Sequence, residues 1–307
     1  MPAPFPIDPE LTGIAIAYHN KSMIADQVLP RVLVGKEQFK YWKYKLEQGF
    51  TVPDTKVGRK SKPNEVEFSG EEVTDSTEDY GLDDPIPQAD IDNAPASYNP
   101  EGRAVEQITN IVELDREVRV ANLVFNAANY GANNKITLVG ADQWNDPTSK
   151  LIKTIMDSLD ACIMRPNVGT FGRATLSALS MHPEVVKATN RNSGDSGIAQ
   201  REAIAALFEL EEVLAGEAYI NTARKNQPAS MQRAWGKHAA FTYRDQLADN
   251  RNGTTFGFTA QFGQRVAGSQ PDSDIGLRGG QRVRAGESVK ELITANDLGF
   301  FIQNAVA

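Results

Sequence analysis

Sulfur, histidine and long apolar runs are scarce in this chain of 307 residues. Its single cysteine, Cys162, cannot form an intramolecular disulfide, and its place in a helical pattern favours a buried thiol that packs as a small apolar group. One thiol also fits a reducing compartment such as the cytoplasm. His19, His182 and His238 lie in three separate segments without the H-x-x-x-H or C-x-x-C spacing of zinc sites, so we predict no metal and no cofactor.

No stretch approaches the roughly 18 apolar residues that a membrane helix requires, and the proline-rich start lacks the pattern of a secretory signal. Positive charge is also in deficit, because 32 Lys and Arg face 40 Asp and Glu and the net charge is −8. Affinity for nucleic acid comes mainly from clustered basic side chains on phosphates, so a function based on gripping nucleic acid is disfavoured. The mean hydropathy of −0.41 predicts a somewhat polar globular protein without membrane attachment.

Signatures of catalysis are missing as well. The sequence contains neither a P-loop nor a G-x-G-x-x-G fingerprint, and the Gly-Arg-Lys-Ser segment at 58–61 lacks P-loop spacing. No G-x-S-x-G elbow occurs, and 193–197 is typical of a polar loop. The acidic residues of 65–92 could include an acid–base pair, but a charged surface that faces a partner is favoured. We therefore predict no enzyme; the alternative, an unrecognised site in 134–245, requires a deep pocket with converging polar groups there.

The first 35 residues contain prolines at positions 2, 4, 6, 9 and 30. These prolines exclude one continuous helix but leave room for a short helix between 13 and 23. A terminal segment with little core of its own usually lies on another surface or stays mobile, which is a first indication of partners. We therefore interpret 1–35 as an N-terminal arm.

The segment 36–92 reverses its charge half-way. Basic residues dominate 36–62, whereas 65–92 contains eleven acidic residues and no basic one. Aromatic residues from 39 to 44, and the alternation of Val66 and Phe68 with acids, predict two strands joined by a polar tip at 53–63. We interpret 36–92 as a long two-stranded arm that needs a neighbour, because isolated hairpins are marginal in water. The alternative is a solvated, mobile excursion. The side chains predicted to contact other subunits are Lys56, Arg59, Lys60, Lys62, Glu71, Glu72 and Asp75.

The clearest helix signal runs from 100 to 129, where apolar residues recur at spacings of three and four. Asn99 is placed to cap this helix, with Pro100 at its first position. At 1.5 Å per residue the helix would span roughly 40–45 Å and act as a strut. Charged residues such as Glu113, Arg116 and Glu117 are predicted to occupy its other faces. The predicted core-facing stripe consists of Ile111, Leu114, Val118, Ala121, Phe125 and Ala128.

Helical and strand patterns alternate from 134 to 245, which predicts a compact α/β domain. Helices are expected around 152–162, 183–186 and 203–210, and strands at 170–176, 218–222 and 239–243. The end of the chain, 253–307, is rich in β patterns and is predicted to return and pack on the long helix. A basic cluster of Arg278, Arg282 and Arg284 lies at a Gly-rich turn there. The cluster could touch phosphate, but a contact of this turn with an acidic neighbour is favoured.

The order of these parts resembles the major capsid proteins of tailed bacteriophages, which have the Hong Kong 97-type fold. Two details are also similar: Met-His-Pro-Glu-Val at 181–185 resembles a helix start in the family's axial domain, and Trp-Gly-Lys at 235–237 resembles a strand entry there. The resemblance covers nearly the whole chain but depends on architecture, without one diagnostic motif. It implies an α+β fold whose parts are an N-terminal arm (1–35), an extended β-hairpin loop (36–92), a peripheral domain with a long spine helix (93–133), an α/β axial domain (134–245) and a returning β segment of the peripheral domain (246–307).

The function that this resemblance implies is self-assembly. Copies of the chain would form hexamers and pentamers of an icosahedral shell, the virion head, which encloses double-stranded phage DNA without reading its sequence. A portal and a separate scaffolding protein are implied partners, since no long helical prodomain precedes the arm, and a decoration protein is a further candidate. Assembly is expected in the cytoplasm of the host bacterium. Some relatives cross-link a lysine of the extended loop to an asparagine of a neighbour, but the sequence does not identify that asparagine and we predict no such chemistry.

Two other functions stay open at this point. An encapsulin-like compartment shell shares the fold but packages an enzyme, and the neighbouring genes would distinguish the two. A nucleic-acid-binding module would show a steep dependence of DNA binding on salt.

Overall fold

The computed structural model describes residues 5–44, 51–65, 70–190, 197–249 and 253–307. The predicted alternation at Val66 and Phe68 and the predicted loop at 193–196 lie outside the described residues.

Helices and strands interleave along the chain, which confirms the predicted α+β class. The described helices are α1 (Pro9–Ala17), α2 (Ala25–Val28), α3 (Gln88–Asp92), α4 (Pro100–Val124), α5 (Leu151–Asp160), α6 (Arg173–Met181), α7 (Pro183–Thr189) and α8 (Arg201–Phe208). The described strands are β1 (Arg31–Val34), β2 (Gln38–Tyr44), β3 (Gly70–Ser76), β4 (Glu78–Pro87), β5 (Lys135–Thr137), β6 (Val168–Gly172), β7 (Glu212–Gly216), β8 (Tyr219–Asn221), β9 (Met231–Arg233), β10 (Ala239–Thr242), β11 (Gly257–Asp272), β12 (Gly280–Ile293) and β13 (Gly299–Gln303).

A four-stranded sheet in the order β1-β11-β12-β4 is built around the long antiparallel pair of β11 and β12. Its register breaks between Phe262 and Val266, where Gly263 has a φ of +68°. Residues with a Cβ rarely adopt this conformation, so glycine permits the irregularity. The helices α1 and α4 cover one face of the sheet, with Leu11, Val105 and Val283 in their shared core.

The long helix α4 begins as predicted but buries a different face. The Asn99 side chain accepts a hydrogen bond from the backbone N–H of Gly102 at 3.0 Å, and Pro100 follows at the first helical position. The helix ends at Val124 rather than at 129. The predicted stripe is only partly correct, because Ala121 is buried and Phe125 packs against the core, whereas Ile111 is 52% exposed. The charged residues Glu113, Arg116 and Glu117 are buried instead. Apolar spacing alone selected the wrong face, since these three charged residues have partners inside the fold.

A five-stranded sheet in the order β5-β13-β10-β6-β7 forms the second core, with the four helices α5 to α8 packed into the same region. The predicted helix start at His182 and Pro183 and the predicted strand at 239–243 are confirmed by α7 and β10. The predicted strand at 170–176 is only half correct, because β6 stops at Gly172 and α6 follows. The stripe of Leu176 and Leu179 belongs to this helix and is buried in the core.

Two predicted pairings differ in the structure. The acidic half of the predicted arm forms two strands with different partners. Strand β3 pairs with β2, whereas β4 leaves the arm and pairs with β12. The two-stranded arm is therefore shorter than 36–92, because ten residues of β4 pair along the much longer strand β12. The last strand, β13, pairs with β10 and β5 and so belongs to the five-stranded sheet, while β11 and β12 return to α4 as predicted.

Candidate assembly surfaces

The base of the arm is anchored to the four-stranded sheet. Phe39 and Tyr41 alternate with polar residues along β2 and are each 5% exposed. They share a core with Phe258 and Leu292, and the rings of Tyr41 and Phe258 meet edge to face at 6.4 Å between centroids. Burying such rings contributes roughly 1.5–3 kcal/mol each, so this end of the arm has a fixed direction.

The tip of the arm has no such anchor. All described residues from 51 to 65 are exposed, and Val52 is 90% exposed. Asp54 organises a local turn, because its side chain accepts from the backbone N–H of Lys56 at 2.9 Å and its carbonyl accepts from the Asn64 side chain at 2.7 Å. Within the described part of the chain no acid pairs with the predicted contact residues Lys56, Arg59, Lys60 and Lys62.

The three predicted acidic contact residues lie on two faces of β3. Glu72 pairs with Lys40 at 2.7 Å across the hairpin. Glu71 and Asp75 lie on the face of Tyr41, and burial together with these two carboxylates raises the pKa of its hydroxyl. Glu71 is exposed and Asp75 is half-buried, so the three do not form one continuous surface.

The predicted arginine cluster meets acids of its own chain. Arg284 holds Asp83 of β4 through two hydrogen bonds of 2.6 and 2.8 Å, and these hydrogen bonds lower the pKa of Asp83 although its partial burial opposes the shift. Arg282 pairs with Asp272 at 2.6 Å. Arg278 is exposed in the turn between β11 and β12. Two of the three arginines therefore hold β4 and β11 to β12, and a contact of the cluster with another subunit stays a prediction.

A network of buried and half-buried ion pairs was missed by the sequence reasoning. It joins the N-terminal segment to α4, β11 and β12 through distances of 2.5–3.7 Å. The members come from four segments that are distant in sequence, the N-terminal segment, α4, β11 and β12. Each member looks like an ordinary surface charge, so no local spacing rule identifies the set. Its members are Asp26, Arg31, Glu113, Arg116, Arg119, Arg265, Glu287 and Glu291.

Glu287 is the most deeply buried carboxylate of this network, with 1% of its side chain exposed. It pairs with Arg31 at 2.7 Å and with Arg265 at 3.0 Å. Burial alone would raise the pKa of Glu287, but Arg31 and Arg265 offset that effect and hold the pKa below its usual value. The pKa of Asp26 is lowered in the same way, against burial, by Arg116 and Arg31. The predicted N-terminal arm therefore lies on another surface, as expected, but that surface belongs to its own chain.

One pair in the five-stranded domain resembles a catalytic dyad. The Nε2 atom of His182 lies 3.1 Å from the Ser149 Oγ and 3.1 Å from the Asp146 carbonyl, and both side chains are buried. The Nδ1 atom accepts from the backbone N–H of Glu184, so Nε2 carries the proton and donates it. A protonated Nε2 cannot remove the hydroxyl proton of Ser149, and the pair caps α7 and fastens it to the preceding loop instead.

A cleft of the 134–245 domain has a volume of about 410 Å³ and lies beside α6. Its lining includes the charged residues Arg173, Arg201 and Glu202 beside Ser177 and Met181, and it contains no histidine or cysteine. Cys162 lies elsewhere in the core, where burial raises the pKa of its thiol to about 12, as expected for an inert thiol. Among the described residues no three His, Cys, Asp or Glu side chains are grouped to hold a metal ion. No helix within the described ranges of the whole chain is long and apolar enough to cross a membrane.

Comparison with known proteins finds relatives that match along nearly the whole chain. No protein-family profile matches the chain. The chain is 64% identical over 305 residues to the major capsid protein of Pseudomonas phage JBD67, and the match covers 99% of both chains. A crystal structure of a phage-related protein from Bordetella bronchiseptica RB50 superposes with a TM-score of 0.76 at 23% identity, over 99% of this chain and 98% of the other. The capsid of cyanophage P-SCSP1u superposes with a TM-score of 0.57 at 8% identity, over 94% and 89%.

Proposed function

Because this chain belongs to the family of bacteriophage major capsid proteins, we propose that it forms rings of six and five subunits that close into an icosahedral head around double-stranded DNA. Its Hong Kong 97-like fold and its membership of the family make it a structural, non-enzymatic shell protein of the virion. In the proposed arrangement the domain at 134–245 joins subunits within a ring. The arm overlies the adjacent subunit, and α4 with the four-stranded sheet contacts neighbouring rings. Repeated heterologous contacts of this kind close around symmetry axes.

The observation that carries this proposal is the contrast between the two ends of the arm. The base is buried through Phe39 and Tyr41, whereas the tip at 53–63 is exposed throughout. The described residues include no acidic partner for the basic tip, and such a tip suits an acidic surface on another copy. Individual contacts of this type are weak, but many act together once a ring has formed.

The partners outside the shell are proposed on the same family membership. A portal and a separate scaffolding protein would take part in assembly in the host cytoplasm, and a decoration protein could add to the outer surface. The net charge of −8 supports loose packing of DNA inside the shell, since acidic residues outnumber the basic residues that could hold phosphates.

The proposal is tested by removing the tip. A variant with 53–63 replaced by a short Gly-Ser turn should remain folded and yield few shells, since the tip contributes nothing to the described core. A second variant, with 53–63 replaced residue for residue by Gly and Ser, separates the length of the tip from its side chains. Circular dichroism checks the fold, and light scattering measures assembly. Normal shell yield from both variants contradicts the proposed role of the tip, and loss of folding would show that the tip is part of the core.

A further inference from the structure

A buried carboxylate of α4 lies where three segments of the chain meet. Glu117 is 0% exposed. Its Oε1 accepts from the Trp235 Nε1–H at 2.6 Å, and its Oε2 accepts from the backbone N–H of Ala25 at 2.8 Å. The N–H of Ile24 lies 3.0 Å from both oxygens. All three partners are donors, so only a carboxylate, which accepts on both oxygens, satisfies them together.

On the N-terminal side, Glu117 completes the start of α2. The cap residue of this short helix, Ile24, offers no side-chain hydrogen bond of its own. The N–H groups of Ile24 and Ala25 would be buried without partners if the carboxylate moved away, because both residues are at most 6% exposed. The packing of residues 24–29 against α4 therefore depends on the position of the Glu117 carboxylate.

On the other side, Trp235 fits tightly against the five-stranded sheet. A Cβ at Gly216 of β7 would lie 2.1 Å from the Trp235 ring, and a Cβ at Gly172 of β6 would lie 1.7 Å from the carbonyl oxygen of Gly236. The ring also meets Phe125, which caps the C-terminus of α4, edge to face at 5.0 Å. Movement of Trp235 relative to the sheet is blocked by backbone, so the sheet and the indole move as one body.

We propose that Glu117 is a positioning residue for shell assembly: it fixes the orientation of the five-stranded domain on α4 and couples that orientation to the seating of residues 24–29. This inference rests on the proposed function, because a shell requires each subunit to present its contacts at reproducible angles. The partner surfaces themselves are not altered by this residue, which lies entirely inside the subunit.

The test compares hydrogen exchange in unassembled subunits. In Glu117→Gln only one oxygen can still accept, so either Trp235 or the N-terminal segment loses its partner. Exchange protection should fall about 10- to 100-fold both at 24–29 and at 213–217, on opposite sides of the residue. Trp235→Phe keeps an aromatic ring but removes the donor, and it should also release 24–29. The matched control is Glu287→Gln, which destabilises the subunit without contacting the five-stranded sheet. Its loss of protection at 213–217 should not exceed its loss in the free energy of unfolding, whereas the loss caused by Glu117→Gln should exceed that variant's loss in the free energy of unfolding.

Shell geometry provides the second readout. Negative-stain images should show a broader distribution of shell diameters for Glu117→Gln and Trp235→Phe than for the unaltered protein. The inference is overturned if both variants lose protection only next to the substituted residue, or if both form shells as uniform as those of the unaltered chain. Failure of the unaltered chain to form shells contradicts the proposed function instead, and the exchange data on free subunits still decide whether Glu117 couples the two sides.

Discussion

Replacement of Glu287 by glutamine should destabilise the subunit severely, although the change is nearly isosteric. The carboxylate is 1% exposed and neutralises Arg31 and Arg265, whose side chains are 18% and 13% exposed. Removing one partner from a buried ion pair typically costs about 3–5 kcal/mol, because the remaining charge is left without compensation. We expect a loss of that size in the free energy of unfolding, with Asp26 and Glu113 limiting it to the lower end, since they still contact the two arginines.

Urea unfolding of unassembled subunits, followed by fluorescence and circular dichroism, measures this loss. The matched control is Glu78→Gln, which breaks the exposed pair with Lys290 and should cost less than about 1 kcal/mol. Equal and small effects of the two substitutions would refute the reasoning, because the buried network would then contribute no more than a surface pair.

The same carboxylates set the response to acid. Glu287 and Asp26 have pKa values lowered in the folded state, so their contribution to stability is complete above the ordinary carboxyl pKa of about 4. That contribution is lost as the pH falls through the lowered pKa values. The free energy of unfolding of the unaltered subunit should therefore decline steeply below about pH 4, and that of Glu287→Gln should decline less. Parallel curves for the two proteins would contradict this assignment.

Three further predictions concern the arm and the thiol. Tyr41→Ala should lower the free energy of unfolding by about 3 kcal/mol, because it leaves a cavity beside Phe258. Urea unfolding measures this loss, and a loss below about 1 kcal/mol would contradict the packing of the arm base. Cys162 should resist thiol reagents in the folded subunit and react on unfolding, because its thiol is buried with a pKa of about 12; rapid labelling of the folded subunit would contradict this. Replacement of the four basic tip residues by glutamine should raise the concentration needed for assembly at low salt and matter less at 1 M salt, where charges are screened within about 3 Å. Light scattering at both ionic strengths measures the concentration needed for assembly. The control replaces four exposed lysines elsewhere, at 21, 150, 187 and 225, by glutamine. If both sets of substitutions change that concentration equally, the charge of the tip has no special role in assembly.

Local signals in the sequence were sufficient for much of the fold. The cap at Asn99 and Pro100, the helix start at His182 and the strand at 239–243 are determined by neighbours in the chain, and all three are confirmed. The aromatic residues of β2 likewise predicted a strand, and the structure pairs it with β3 as expected.

The errors arose where distant residues decide the outcome. The buried face of α4 could not be predicted, because distant partners stabilise the buried charges of Arg116 and Glu117. These partners lie some 90 residues earlier and 118 residues later in the chain. The strand β4 continued the charge pattern of the arm but joined β12, about 200 residues away, where Arg284 matches Asp83. The division of the chain into five parts and the inter-subunit roles of the tip residues and the arginine cluster stay predictions.

The most direct test of the central claim is the mass and shape of the purified protein, expressed alone and with a co-expressed scaffold. Size-exclusion light scattering and negative-stain microscopy should show rings of five and six subunits or uniform hollow shells. A stable monomer or dimer under every assembly condition would contradict the account, and attention would then move to the cleft beside α6.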